Sequence, residues 1–222
     1  MIPATFDRAR YDDLVSRGMP SGLGTRESAC VMAALNLACG GDLTDASESP
    51  CVLPSAAAFA IRLNDANWSS PTARASGMHD LGLALLGTAD IDRATFVRRL
   101  AEDTIRRVLP IALRAVGLKK EADRCEEEGT MESASAASYA DAAAYAAAAA
   151  YAYYAASYAA ASAKAACRRR RDASAASASA FAAASDAASA ASYAADASYA
   201  DRVLSVSATI ATEILTDMRG AL

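Results

Sequence analysis

The chain is expected to be all-α, an N-terminal bundle of short helices followed by a long alanine-rich antiparallel helical hairpin. Three observations point there. Glycine and proline punctuate residues 1–129 at intervals that suit short helices, neither occurs between Gly129 and Gly220, and no segment shows the β-branched alternation of a strand. The change of composition divides the chain into an expected bundle domain over 1–129 and a hairpin over 130–222, the hairpin packed on the first part or on a partner subunit.

Taken in order, Phe6 to Arg17 is expected as a first helix, stopped by Gly18 and Pro20. Thr25 offers a hydroxyl that can cap a second helix from Arg26 to Cys39, which ends at Gly40 and Gly41. Asp42 to Pro50 is a loop. A third helix runs from Leu53 to Asp65 with Phe59, Ile61 and Leu63 among its apolar residues. Ser70-Pro71 then starts a fourth, because serine can satisfy free N–H groups while proline fits the first turn, and this helix ends near Gly87. From Asp92 a longer helix carries Phe96, Val97, Leu100, Ile105, Val108 and Leu109, and Pro110 is expected to kink it before Leu113 and Val116 extend the apolar face to Gly117. A short helix from Leu118 to Glu128 closes the bundle.

The remaining residues are low in complexity, with Ala-Ser-Tyr-Ala recurring at Ala137, Ala156, Ala191 and Ala197 among runs of alanine and serine. Alanine is the best helix former, so helix is expected over solvated coil. A single helix across the whole span would be roughly 135 Å long, so a break is needed. Cys167-Arg168-Arg169-Arg170-Arg171-Asp172 supplies it: four cations suit a helix C-terminus and Asp172 can cap the next helix. Tyr151, Tyr154 and Tyr158 fall on one face of the first arm, and alanine elsewhere lets two backbones approach closely.

A formal net charge of -4 and a pI near 5.1 argue against broad nucleic-acid affinity, which needs an excess of lysine and arginine. Five cysteines without a C-x-x-C pair indicate neither a disulfide framework nor a zinc knuckle, so reduced thiols and a cytoplasmic setting are expected. The charged first residues do not fit a secretory signal, and serine, tyrosine and aspartate interrupt the alanine tract too often for a membrane span.

The densest polar and aromatic cluster outside the repeats is Asn64, Asp65, Trp68, Ser69, Ser70 and Arg74, at a helix-to-helix junction that can present hydrogen-bonding groups and an indole to a ligand. Its structural alternative is a capping loop with Trp68 as a core plug. Arg168 and Arg169, in the four-arginine run beside Lys164, can clamp phosphates bidentately while Tyr154 and Tyr158 stack on bases; the alternative is a solvated helix end. Arg62, one turn before the junction, joins the expected ligand-binding set. His79, the one histidine, has no G-x-S-x-G elbow or other nucleophile context near it, and the carboxylates follow no E-x-x-H pattern, so no catalytic residue, cofactor or metal is expected. The glycines at 18, 22 and 24 match neither a dinucleotide fingerprint nor a phosphate loop with its lysine. No threonine lies between Thr130 and Thr209, which removes the regular threonine face that binding to ice would need.

Cys30-Val-Met-Ala-Ala, Ser49-Pro50-Cys51-Val52 and Phe59-Ala-Ile-Arg-Leu-Asn-Asp65 together resemble an uncharacterised family of helical proteins from bacterial genomes and phages, over about Thr25 to Leu113. The Ala/Ser/Tyr-rich tail is similar to helical segments of bacterial immunity proteins. The resemblance implies a role in host–phage conflict. The expected function is therefore a non-enzymatic, homo-oligomeric binding protein that sequesters a small anionic, nucleotide-like signalling molecule. The alternatives are a protein-interaction module that blocks an effector through the hairpin, and an enzyme acting on a nucleotide.

Overall fold

The computed structural model describes residues 4–46, 51–115, 117–130, 132–134 and 197–221. Within them the fold is all-α, and Tyr154, Tyr158, Arg168 and Arg169, with the expected turn of the hairpin, lie outside them. The helices are α1 (Arg8–Ser16), α2 (Val31–Ala38), α3 (Pro54–Asp65), α4 (Pro71–Leu85), α5 (Arg93–Asp103), α6 (Leu109–Ala115), α7 (Lys119–Glu128) and α8 (Ala197–Gly220), with a π-helical turn at Thr104–Val108 between α5 and α6.

Three helices begin where a short polar side chain accepts from the first free N–H groups. Asp7 takes the Arg10 N–H at the head of α1, Ser70 the Ala73 N–H at the head of α4, and Asp92 the Thr95 N–H at the head of α5. Pro54 and Pro71 each occupy the first turn, where a missing N–H costs nothing. Gly129 ends α7 in the left-handed conformation (φ +60°), and Arg106 donates to the Glu127 and Glu128 carbonyls beside it, at 3.1 and 3.0 Å.

The second helix begins later than expected. Thr25 does not cap a helix; its Oγ1 accepts from the Glu27 and Ser28 N–H groups, both at 3.2 Å, closing a turn after Gly24 (φ +78°). The helix starts at Val31, whose N–H is taken 3.3 Å away by Asn64 Oδ1 of α3. The long fifth helix departs in another way. Rather than a simple kink at Pro110, one extra residue is inserted before it, and the Leu109 N–H reaches back to the Thr104 carbonyl. Proline has no N–H to continue the regular ladder, so the irregularity settles in the preceding turn.

Helix α4 is the axis of the bundle, packed by α1, α2, α3 and most extensively by α8. The apolar stripe of α8, formed by Val203, Leu204, Ala208, Ala211, Ile214 and Leu215, recurs at three- and four-residue steps and enters the same core as Met32, Leu63, Met78 and Phe96. A core drawn from residues on both sides of Gly129 results. From the π-turn onward the two sides of one rod serve two cores: Val108 and Ala112 face the main one, whereas Ile105, Leu109 and Leu113 join Ala122, Cys125 and Ala134 in a smaller cluster.

No described helix is long and apolar enough to cross a membrane. Among the described residues the thiols of Cys30, Cys39 and Cys125 form no disulfide, and burial pushes all three above the usual range.

Candidate functional site

The junction between α3 and α4 gathers most of the residues expected there. Asn64, fully buried at the end of α3, accepts from Val31 and donates its Nδ2 to the Pro20 carbonyl at 3.0 Å and to Asp65 Oδ1 at 3.1 Å. Asp65 Oδ1 also accepts the Gly22 N–H at 2.7 Å. One Asn-Asp pair thereby fixes the 18–24 loop and the start of α2 at once. Trp68 is 5% exposed; its Nε1–H donates to the Leu63 carbonyl at 2.9 Å, and its ring lies over Gly77, where a β-carbon would come within 2.3 Å of it. The indole fits because residue 77 has no side chain.

Arg74, 7% exposed, sends Nη1 to the Met19 carbonyl at 2.7 Å, while its buried Nε has no partner among the described residues. Burial draws its pKa down, against the pull of Asp65 and Asp201. Asp201, from α8, was not an expected member of this group; it accepts the Ser69 N–H at 2.8 Å and the Ser69 hydroxyl. Arg62 is exposed on the last turn of α3. The structure thus brings Asn64, Asp65, Trp68 and Arg74 together with Ser69, Ser70 and Asp201, and it commits their polar atoms largely to one another and to backbone.

A second constellation joins α1 to α4. Both ring nitrogens of His79 face carboxylates, Nε2 against Asp12 Oδ1 at 3.0 Å and Nδ1 against Asp80 Oδ1 at 2.7 Å. Tyr11 donates its hydroxyl to the His79 carbonyl at 2.9 Å, with the two rings 5.6 Å apart, and Arg8 holds both oxygens of Asp12 at 2.8 Å. Partial burial works against a charged ring, but the hydrogen bonds to Asp12 and Asp80 outweigh it and hold the histidine above its usual pKa. The bond to His79 in turn holds the Asp12 carboxyl below the usual range.

Comparison with known proteins found no matching family model, no matching curated protein and no matching solved structure. Chemistry therefore has to be read from the side chains themselves. Neither constellation places a serine, cysteine or lysine nucleophile against the histidine, and among the described residues no group of three His, Cys, Asp or Glu side chains is arranged to hold a metal ion. The pairing of His79 with Asp12 carries no sequence signal, since 67 residues separate them. Asp80, its immediate neighbour, was the one visible hint.

Proposed function

We propose that this protein is a non-enzymatic binding protein in which the helical bundle serves as a rigid mount for the Ala/Ser/Tyr tract, and the tract engages a small anionic, nucleotide-like molecule. The observation that supports this reading is that the described residues flanking the tract are packed at both ends. Ser133 and Ala134 are buried on its near side, and Ala200 and Val203 on its far side. A segment tied at both ends to one body loses less entropy on binding than one tied at a single end.

Charge supports the same assignment. Across the bundle, Arg8, Arg17, Arg98, Arg99, Arg107, Arg114 and Arg124 meet carboxylates, and Arg74, Arg106 and Arg219 donate to backbone carbonyls. The densest run of positive charge in the sequence is Arg168–Arg171, with Tyr154 and Tyr158 preceding it. Guanidinium forks suit phosphate, and phenol rings suit the face of a base. Self-assembly through alanine-rich faces, a cytoplasmic setting and a place in host–phage conflict belong to the same proposal.

The test is titration calorimetry of the full chain against cyclic nucleotides and ADP-ribose-type compounds. One of these is expected to bind and to be recovered unchanged, and the R168A/R169A variant is expected to lose that heat while melting at the wild-type temperature. No heat with any of them overturns the reading; turnover of the bound compound replaces it with an enzymatic one. A protein retained by the wild-type chain and lost by the variant, in the absence of any ligand heat, would assign the tract to effector docking.

A further inference from the structure

The contacts of His79 carry an inference independent of any ligand. A neutral imidazole has one N–H and one lone pair, so it can donate to only one neighbour. Here both nitrogens lie at hydrogen-bond distance from carboxylate oxygens, 3.0 Å to Asp12 and 2.7 Å to Asp80. Ionised carboxylates only accept. A neutral ring would set a nitrogen lone pair against an oxygen lone pair at one of the two contacts, whereas a ring protonated on both nitrogens satisfies both.

We propose that His79 is a proton-operated clamp between α1 and α4, closed while both ring nitrogens are protonated and released on the Asp12 side when one proton leaves. Asp80 is the next residue on the same helix, so its bond to the ring does not span elements. Asp12 is on α1, so the Nε2 contact does. Loss of the Nε2 proton removes a charge-assisted bond between two helices and leaves Asp12 to Arg8, its partner one turn earlier.

The surroundings of the ring are few. From α1 it faces Asp12, with Arg8 beyond it, and the neutral Tyr11 phenol; from α4 it faces Asp80. Among the described residues no charged group of α2, α3 or α8, the other helices against α4, forms a hydrogen bond or ion pair with the ring. The Tyr11 hydroxyl is bonded to the backbone carbonyl of His79 rather than to its ring, so that tie survives deprotonation. Release is therefore a loosening of α1 and not its departure.

Because His79 is the sole histidine of the chain, its ring resonances can be assigned without ambiguity. In a pH titration by nitrogen-detected NMR, both ring nitrogens are expected to be protonated below a midpoint that lies above that of the same histidine in the urea-unfolded chain. Amide exchange in α1, corrected for the intrinsic pH dependence, is expected to accelerate through that same midpoint. The Asp12→Asn variant, which keeps the shape and removes the charge, should show faster α1 exchange than wild type below the midpoint, converge with it above, and show no step. A folded-state midpoint at or below the unfolded one overturns the proposal. So does a raised midpoint with no step in α1 exchange, or a step of wild-type size in Asp12→Asn.

Discussion

At the scale of single residues, the bundle depends on a few places where a missing or buried side chain sets the geometry. Gly82 is one: a β-carbon there would sit 2.0 Å from the Tyr11 hydroxyl, which its bond to the His79 carbonyl holds in place. Gly82→Ala is therefore expected to lose about 1–3 kcal/mol of stability in urea unfolding, as overpacked sites do. Arg74 is another. Truncation to alanine strips a donor from the buried Met19 carbonyl, and Arg74→Ala is expected to cost about 1–3 kcal/mol by the same measurement. Asp12 governs the acid side of the α1–α4 contact. Its pKa is lowered in the folded chain, so the stability it contributes is present above the ordinary value of 3.8 and is lost as pH falls through the folded one. His79 has the opposite sign: its share is complete below the ordinary 6.5 and is lost as pH rises through its raised folded value. The stability gap between wild type and Asp12→Asn should thus be widest between these two values, and thermal melts across the pH range would show it closing on both sides.

Elements were legible in the sequence wherever their ends are decided locally. Ser70-Pro71 marks the head of α4 because cap and first turn lie within two adjacent residues, and Gly129 marks the end of α7 for a similar reason. The head of α2 was not legible, since its N-cap is Cys30, whose Sγ is a weak acceptor for the Ala33 N–H, and the Val31 N–H goes to Asn64, 33 residues away. Longer separations, 67 and 132 residues, hid the His79–Asp12 pair and brought Asp201 unannounced to Ser69. The π-turn escaped because Pro110 announces an interruption without saying which side of it absorbs the extra residue. Helix α8 shows the converse: its apolar residues recur at helical steps, yet periodicity cannot name the surface they cover. That surface is chiefly α4. Leu204, fully buried in α8, is a fair probe of it, and Leu204→Ala is expected to cost about 2–5 kcal/mol in denaturant unfolding.

The whole molecule is held together by a helix distant in sequence from most of what it touches. Besides its apolar stripe, α8 is tied by Arg99 to Asp217 at 2.6 Å, by Arg107 to Glu213 and by Arg219 to the Leu86 carbonyl at 2.8 Å. Exposed pairs of this kind contribute little singly, so the stripe carries most of the attachment. Removal of residues 197–222 is accordingly expected to abolish the cooperative melt, and the near-ultraviolet signal of Trp68, the one tryptophan, is expected to collapse with it. A cooperative melt in the shortened chain would show that α1 to α7 suffice as a core. The arrangement also has a timetable. At synthesis rates of about 5–20 residues per second, α8 is completed roughly 5–18 s after Gly129 has been made. Throughout that interval the flank of α4 lacks the cover that α8 gives it in the finished fold, and the nascent bundle must either wait half-collapsed or be shielded by something else.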